Sequence, residues 1–108
     1  MRRIRILRIM TIQTSIKQKI TEAAKARDSV RLLVLRGIAA AFTNKLVALK
    51  KSTTDALPDE DALAVLKKQA KQRRDSIEQF TKGGRADLVE KEKAELAIVE
   101  ALTKELAG

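Results

Sequence analysis

The sequence predicts an all-α fold, a compact four-helix domain, and three observations support this prediction. Strong helix formers dominate the 108 residues, whereas Gly occurs four times and Pro once. Apolar residues recur at three- and four-residue spacing in successive segments, the spacing that places them on one face of a helix. A chain of this length normally builds one hydrophobic core, so we expect a single domain.

The first two predicted helices are separated by a capping signal. Three isoleucines recur at four-residue spacing in the first helix, which is predicted at about residues 12–26. Asp28 or Ser29 then caps the second helix, because either side-chain oxygen can accept a backbone N–H of its first turn. This second helix is predicted to run to about Leu49.

The second predicted helix is apolar over most of its circumference. Its broad apolar face is formed by Leu32, Leu35, Ile38, Ala39, Phe42, Leu46 and Leu49. A second apolar line consists of Leu33, Ala40 and Val47. A helix that is apolar nearly all round is normally buried among others, so we expect this helix to be the central one.

The second half of the chain predicts a helical hairpin. Residues 50–58 lack helical periodicity and form the longest predicted loop. The third helix begins near residues 58–61, where a proline and three acidic residues suit a helix N-terminus, and it ends at Lys82. Gly83 and Gly84 stop it, and the fourth helix follows at about residues 86–106, antiparallel to the third.

The composition excludes most catalytic chemistry. The chain has no Cys and no His, so disulfides, thiolate nucleophiles, imidazole bases and most zinc or haem sites are excluded. We therefore expect no metal site, no cofactor and no catalytic centre. Ser76 near Lys67, Lys71 or Arg73 is the one candidate nucleophile system. No glycine-rich turn exposes Ser76 or builds an oxyanion hole, so a structural hydrogen bond is the favoured interpretation.

The net charge of +9 is concentrated in the first half of the chain and favours a polyanionic partner. Nucleic acid is the commonest such partner, although ribosomal surfaces and acidic lipids compete. The RNA-binding candidates are Lys17, Lys19, Lys25 and Arg27 of the first helix and Lys67, Lys68, Lys71 and Arg74 of the third. A solvated charged face explains the third-helix group equally well. The chain has only two aromatic residues, so contacts with phosphates or RNA shape are expected rather than base reading.

Residues 1–9 form a basic arm or an upstream extension, and the helical domain is predicted at residues 10–108. The arm starts positive and turns apolar, but Arg8 interrupts the apolar stretch and no small-residue cleavage site follows. No run approaches the length of a membrane span. We therefore expect a cytoplasmic protein without a membrane contact.

Three motif residues are predicted to form an internal polar network. On a helical wheel Arg73 lies on the apolar face of the third helix, and Glu92 and Glu95 lie on the apolar stripe of the fourth. Unpaired charges there would be costly, so Arg73 should pair with Glu92 or Glu95, with Arg31 or Arg36 as the alternative basic partner. A ligand cleft is the functional alternative, whereas a metal site would normally add a histidine.

Residues 57–102 resemble the central block of the GatB/YqeY family. The resemblance is carried by KQRRDSIEQF at residues 71–80, GRADLVEKE at 84–92 and AEL at 94–96, in the family's order and spacing. Residues 25–44 resemble the family's second helix, so the likeness covers roughly residues 10–106. It implies a helical domain found as the tail of the B subunit of tRNA-dependent amidotransferases, where it helps hold tRNA, and as small stand-alone YqeY-like proteins.

The sequence departs from the family pattern at two places. The chain ends at Gly108, where family members continue through a tyrosine-leucine-proline turn into a second helical module, so that module is predicted to be absent. Residues 45–51 replace the family's acidic-basic run with a more basic one.

Two functions are consistent with the sequence. The first is a non-catalytic accessory module that binds tRNA or other structured RNA, with any carbon–nitrogen ligase activity residing in partner subunits such as an amidotransferase or in translation components. The second is a helical protein-interaction adaptor. A basic face confined to helices one and three would favour the RNA module, and an exposed apolar patch at the end of helix four would favour the adaptor.

Overall fold

The computed structural model describes residues 10–108 as four α-helices, which confirms the predicted all-α fold. The helices are α1 (Ile12–Lys25), α2 (Ser29–Ala48), α3 (Asp59–Lys82) and α4 (Ala86–Ala107). Each helix ends within one residue of its predicted end, and no strand occurs in the described part of the chain. The predicted basic arm, residues 1–9, lies outside the described residues.

The helix ends follow local chemistry. Asp28 caps α2 by accepting the backbone N–H of Arg31 at 3.2 Å, as the sequence predicts. The C-termini of α1, α2 and α3 all close with the paired backbone hydrogen bonds of a Schellman motif. The residue in the left-handed conformation is Gly84 after α3, with a φ of 69°. After α1 and α2 the same position is taken by Arg27 and Lys50, with φ values of 56° and 59°.

The core lies where all four helices meet, and we call this part the bundle base. Its largest fully buried side chains are Ile16, Leu35, Ile38, Leu46, Leu57, Leu66, Leu102, Val34 and Val99. Helix α2 contacts α1, α3 and α4, which confirms its predicted central position. The most extensive contact is between α3 and α4, which form the predicted antiparallel hairpin.

Two side chains fasten the start of α1 to the segment that enters α3. The backbone N–H of Ile12 donates to the Asp59 carboxylate at 2.9 Å, and the backbone N–H of Leu57 donates to the Gln13 side-chain oxygen at 2.9 Å. Leu57 itself is buried. The loop between α2 and α3 is therefore anchored at its far end by both hydrogen bonding and apolar contact.

One apolar line of α2 is exposed to solvent, although a helix that is apolar nearly all round is expected to be buried on most sides. Leu33 is 60% exposed, Val47 is 58% exposed and Ala40 is also exposed. The reason is that α1, α3 and α4 all pack against the opposite side of α2, which carries Leu35 and Phe42. Central position therefore does not mean full enclosure in this bundle.

The far half of the α3–α4 hairpin has much less cover than the bundle base. No residue from 71 to 94 is buried, and the apolar residues Ile77, Phe80, Leu88 and Val89 are half-buried. We call this part, residues 71–94, the distal hairpin. It is held mainly by contacts between its own two helices.

Candidate nucleic-acid interface

The predicted basic face of α3 is exposed, but only half of it is free of ion pairs. Lys71 Nζ lies 2.9 Å from the Asp75 carboxylate one turn later. Arg74 Nη1 lies 3.2 Å from the carboxylate of Glu100 on α4. Both pairs are more than half exposed, so each is weak and easily exchanged for another anion.

Lys67 and Lys68 complete this basic face. Both are exposed, and neither forms an ion pair with another described residue. They are therefore the α3 cations that are most available to an anionic partner.

The four RNA-binding candidates of α1 differ in exposure and in ion pairing. Lys17, Lys25 and Arg27 are exposed and form no ion pair within residues 10–108. Lys19 is different, because its ammonium lies 2.8 Å from Glu105 of α4 and its side chain is only 17% exposed. Lys19 thus links α1 to α4 and is not available as the others are.

A groove between α2 and α3 brings the predicted candidate Lys68 together with four donor side chains that the sequence interpretation missed. Lys45 and Asn44 of α2 face Lys68, Gln69 and Gln72 of α3 across a volume of about 420 Å³. The groove is otherwise lined by Ala41, Ala48, Ala64 and Val65. None of these lining residues is acidic, so the groove offers ammonium and amide N–H donors without a competing carboxylate.

A second cavity differs in charge from the groove. It has a volume of about 490 Å³ between α1 and α4 and is lined by Lys19 together with the carboxylates of Glu22, Asp59 and Glu105. An anion would meet net repulsion there. Of the two cavities, the α2–α3 groove is the one suited to an anionic ligand.

The predicted ion pair of Arg73 is present. Its Nη1 donates to Glu92 Oε1 at 3.2 Å and also to Glu95 Oε1, so one guanidinium joins α3 to two carboxylates of α4. Glu95 is buried, and the Nε of Arg73 is buried without a hydrogen-bond partner in the described part of the chain. Neither cavity described above is lined by these three residues, so their arrangement supports the internal network over a ligand cleft.

The network is smaller than predicted, because Arg31 and Arg36 are not part of it. Both carboxylates pair with Arg73. Arg36 is exposed on α2, on the side away from the core, and Arg31 is half-buried near the start of that helix. Neither arginine forms a salt bridge with another described residue, so the prediction that one of them is the alternative basic partner is wrong.

The candidate nucleophile Ser76 lies half-buried within α3. Of the cations considered as its activators, Lys71 pairs with Asp75 and Arg73 pairs with the two glutamates of α4. Both are thus engaged with carboxylates. Among residues 10–108, no cluster of three or more acidic side chains is placed to hold a metal ion, and no helix is long and apolar enough to cross a membrane.

The exposed apolar surface lies on α2 rather than at the end of α4. Near the C-terminus of α4, Leu102 is buried and Leu106 is half-buried. The large apolar residues that are exposed in the described part of the chain are Val30, Leu33, Val47 and Leu49. The patch that was expected to mark an adaptor is therefore found at a different place.

These features define a class of protein: a basic helical domain with a carboxylate-free groove and a motif-rich α3–α4 hairpin fixed by an internal ion pair. The model of the Yqey-like protein family matches residues 13–106, and the chain belongs to this family.

Similar proteins occur in yeasts. Altered inheritance of mitochondria protein 41, mitochondrial, from Kluyveromyces lactis is 37% identical over 86 residues, which cover 80% of this chain and 45% of the relative. The Saccharomyces cerevisiae protein of the same name is 32% identical over 91 residues, 84% of this chain and 48% of the relative. An uncharacterized Schizosaccharomyces pombe protein is 32% identical over 100 residues, 93% of this chain and 78% of the relative.

The chain spans about half the length of the mitochondrial relatives that it matches. The absence of a second helical module and the domain boundary at residue 10 stay predictions.

Proposed function

We propose that this protein is a tRNA-associated accessory module that has no catalytic centre of its own. The carboxylate-free groove between α2 and α3 is the observation that carries the proposal, together with the exposed Lys67 that precedes the groove residue Lys68 in the chain. In this role the module binds the RNA, and any ligase activity with glutamine as the amido-nitrogen donor resides in partner subunits.

The groove chemistry supports phosphate contacts. Lys45 and Lys68 supply ammonium donors, and the side-chain amides of Asn44, Gln69 and Gln72 supply neutral N–H donors to phosphate oxygens. With no carboxylate in the lining, a phosphate that enters meets no like charge at close range. The groove thus favours an RNA backbone over a neutral ligand.

The lack of exposed aromatic residues also favours phosphate contacts over base recognition. Phe42 is buried in the core and Phe80 is half-buried in the distal hairpin, and the chain has no Trp or Tyr. Unstacked bases therefore lack an exposed aromatic platform, and recognition of RNA shape through phosphates is the remaining mode. We expect little preference for nucleotide sequence.

The family supports an RNA role without chemistry. The domain resembles the tail of the B subunit of tRNA-dependent amidotransferases, in which the amidase and kinase sites lie in other domains or subunits. Ser76 lies within a continuous helix whose backbone N–H groups are used in the helix, so an oxyanion would lack backbone donors beside it. A cytoplasmic location stays a prediction, and two of the three relatives named above carry a mitochondrial name.

Binding of unfractionated tRNA in a filter assay at two salt concentrations tests the proposal. Replacing Lys67 and Lys68 with Gln should weaken binding and reduce the slope of log affinity against log salt by about 2, because two phosphate contacts are lost. The matched control replaces Lys91 and Lys104 of α4 with Gln. Both lysines are exposed and unpaired within the described residues, so the net charge changes equally.

Equal losses in the two double variants would contradict a defined RNA surface and leave only non-specific attraction. Charge reversal at Lys71 and Arg74 should also weaken binding. It is a less direct test, because it breaks the pairs with Asp75 and Glu100 as well. Circular dichroism of each variant separates loss of binding from loss of fold.

A protein partner is the second candidate function, and the exposed apolar line of α2 favours it.

A further inference from the structure

The outer side of α2 carries a continuous stripe that no other described helix covers. The stripe consists of Val30, Leu33, Gly37, Ala40, Asn44 and Val47, all of which are exposed. Their spacing alternates between three and four residues, as at the contact positions of paired helices. Leu33 and Val47 are more than half exposed, and Val30 is nearly so. We call these six residues the outer stripe.

The outer stripe differs from the solvent face of an ordinary surface helix. The exposed face of α4 carries charges of both signs, at Asp87, Glu90, Lys91, Glu100 and Lys104. The outer stripe has no charged residue, and Asn44 is its one polar member. Clustered apolar side chains at helical spacing on a surface mark an interaction site more often than scattered ones do.

The glycine at position 37 is a second observation that indicates a binding partner. It lies in the middle of α2, where glycine weakens a helix relative to alanine. A Cβ added at Gly37 would meet nothing within 4 Å, so no neighbour in the described structure requires the missing side chain. A glycine at the centre of an exposed apolar stripe allows another backbone to approach closely, as small residues do where helices cross.

The charges beside the outer stripe decide which partner fits. Arg36 lies at one edge, and Lys45 lies at the other edge, where it lines the groove. Helix α2 contains no acidic residue, and neither cation forms an ion pair with another described residue. A second copy of α2 would bring these cations against cations, whereas RNA would gain little from an apolar stripe.

We propose that the outer stripe docks an α-helix of another protein that presents an apolar stripe flanked by acidic side chains. The apolar residues of the partner would pack on Leu33 and Val47, with its closest approach at Gly37. Its carboxylates would pair with Arg36 and Lys45. This interface goes beyond the proposed RNA role and does not depend on it, although Asn44 and Lys45 belong both to this interface and to the groove.

Three synthetic helical peptides of three heptads test the interface. The first has Leu and Ala at the contact positions and Glu at the flanking positions. The second has the same composition in an order that spreads Leu and Ala around the helix. The third has Lys in place of Glu. Binding is measured by fluorescence anisotropy, and the contacted residues are found from amide shifts of the nitrogen-15-labelled chain.

We expect the first peptide to bind about tenfold more tightly than the second, with amide shifts concentrated along α2, and the third to bind more weakly still. Leu33→Gln and Gly37→Gln should each weaken the first peptide about tenfold. Leu33 is exposed and Gly37 has open space, so both variants should fold. Ala94→Gln on the exposed side of α4 is the matched control and should bind as the unmodified chain does.

Equal binding of the first two peptides, or binding unchanged by both variants of the stripe, would overturn the proposal. Dimerisation of the chain alone that Leu33→Gln abolishes, measured by sedimentation, would assign the stripe to a second copy instead. Loss of tRNA binding in Leu33→Gln would assign it to RNA. If tRNA binding fails in every variant while the first peptide still binds α2, the RNA proposal falls and the docking proposal stands.

Discussion

The bundle base and the distal hairpin are held by different forces, although the same two helices, α3 and α4, run through both. In the bundle base, Leu66 and Leu102 are fully buried in a core to which all four helices contribute. In the distal hairpin, Ile77 and Phe80 are only half-buried. The Arg73 ion pair lies at the boundary between the two parts.

The comparison shows that an ion pair can hold two helices together where no further helix packs against them. A two-helix hairpin buries too little apolar surface to fix the register of its helices by packing alone. Arg73 contacts Glu92 and Glu95 on the facing helix, so it fixes that register where cover from α1 and α2 ends. We therefore expect these motif residues, for which a ligand cleft was the alternative interpretation, to contribute to fold specificity.

Truncation of an apolar side chain should break the two parts unequally. Leu66→Ala should lower the free energy of unfolding by about 3 kcal/mol, because Leu66 is fully buried and a cavity remains. Ile77→Ala in the distal hairpin should cost only about 1 kcal/mol, because solvent already reaches this side chain. Urea denaturation followed by circular dichroism measures both. Equal losses would mean that the distal hairpin is as tightly packed as the base.

Removal of Arg73 should have the next largest effect. Arg73→Met should lower the free energy of unfolding by about 2–3 kcal/mol, because the buried carboxylate of Glu95 loses its partner. The value lies below that of a fully buried pair, because Arg73 is one-fifth exposed. The double variant Arg73→Met with Glu95→Leu should recover much of the loss in the same urea experiment. Additive losses in the double variant would contradict a coupled pair.

Substitutions at the two left-handed residues Lys50 and Gly84 should have smaller effects on the free energy of unfolding, and these effects should have opposite signs. Lys50→Gly should raise the free energy of unfolding by about 1 kcal/mol, because glycine adopts a φ of 59° without strain. Gly84→Ala at the tip of the hairpin should lower it by about the same amount. The difference in melting temperature between each variant and the parent chain measures these effects. A loss of stability in Lys50→Gly would show that the lysine side chain contributes more than the strain costs.

The exposed ion pairs of the distal hairpin should matter least. Lys71→Gln removes a pair whose partners are both more than half exposed, so we expect a change below about 0.5 kcal/mol. This near-neutral result, compared with that of Arg73→Met, would separate burial from charge as the cause of stabilisation. A loss comparable with that of Arg73 would remove the distinction between the two pairs.

Much of the fold follows from periodicity and caps, and part of the site does not. The Gly83-Gly84 stop, the Asp28 cap and the pairing of Arg73 all depend on local patterns or on a helical wheel, so they are predictable from the sequence. The open side of α2 is not, because the helix is apolar on both sides and periodicity alone cannot show which side its neighbours cover.

The groove was missed for a related reason. Asn44, Gln69 and Gln72 carry no charge, so a count of basic residues passes over them, and Lys45 belongs to a different helix from the lysine it faces. The regular spacing of Ala41, Asn44, Lys45 and Ala48 on one side of α2 was the available signal. These residues of α2 form a groove with Lys68, Gln69 and Gln72 only because α2 packs against α3.

The two hydrogen bonds between the start of α1 and the segment entering α3 have a consequence for the order of folding. They join residues 47 and 44 positions apart in the chain, so the first turn of α1 obtains its Asp59 acceptor only after the chain between them has closed. Loop closure over that distance costs entropy before any contact is gained. The start of α1 and the entry to α3 should therefore become ordered in the same kinetic step, after the local α3–α4 hairpin has formed.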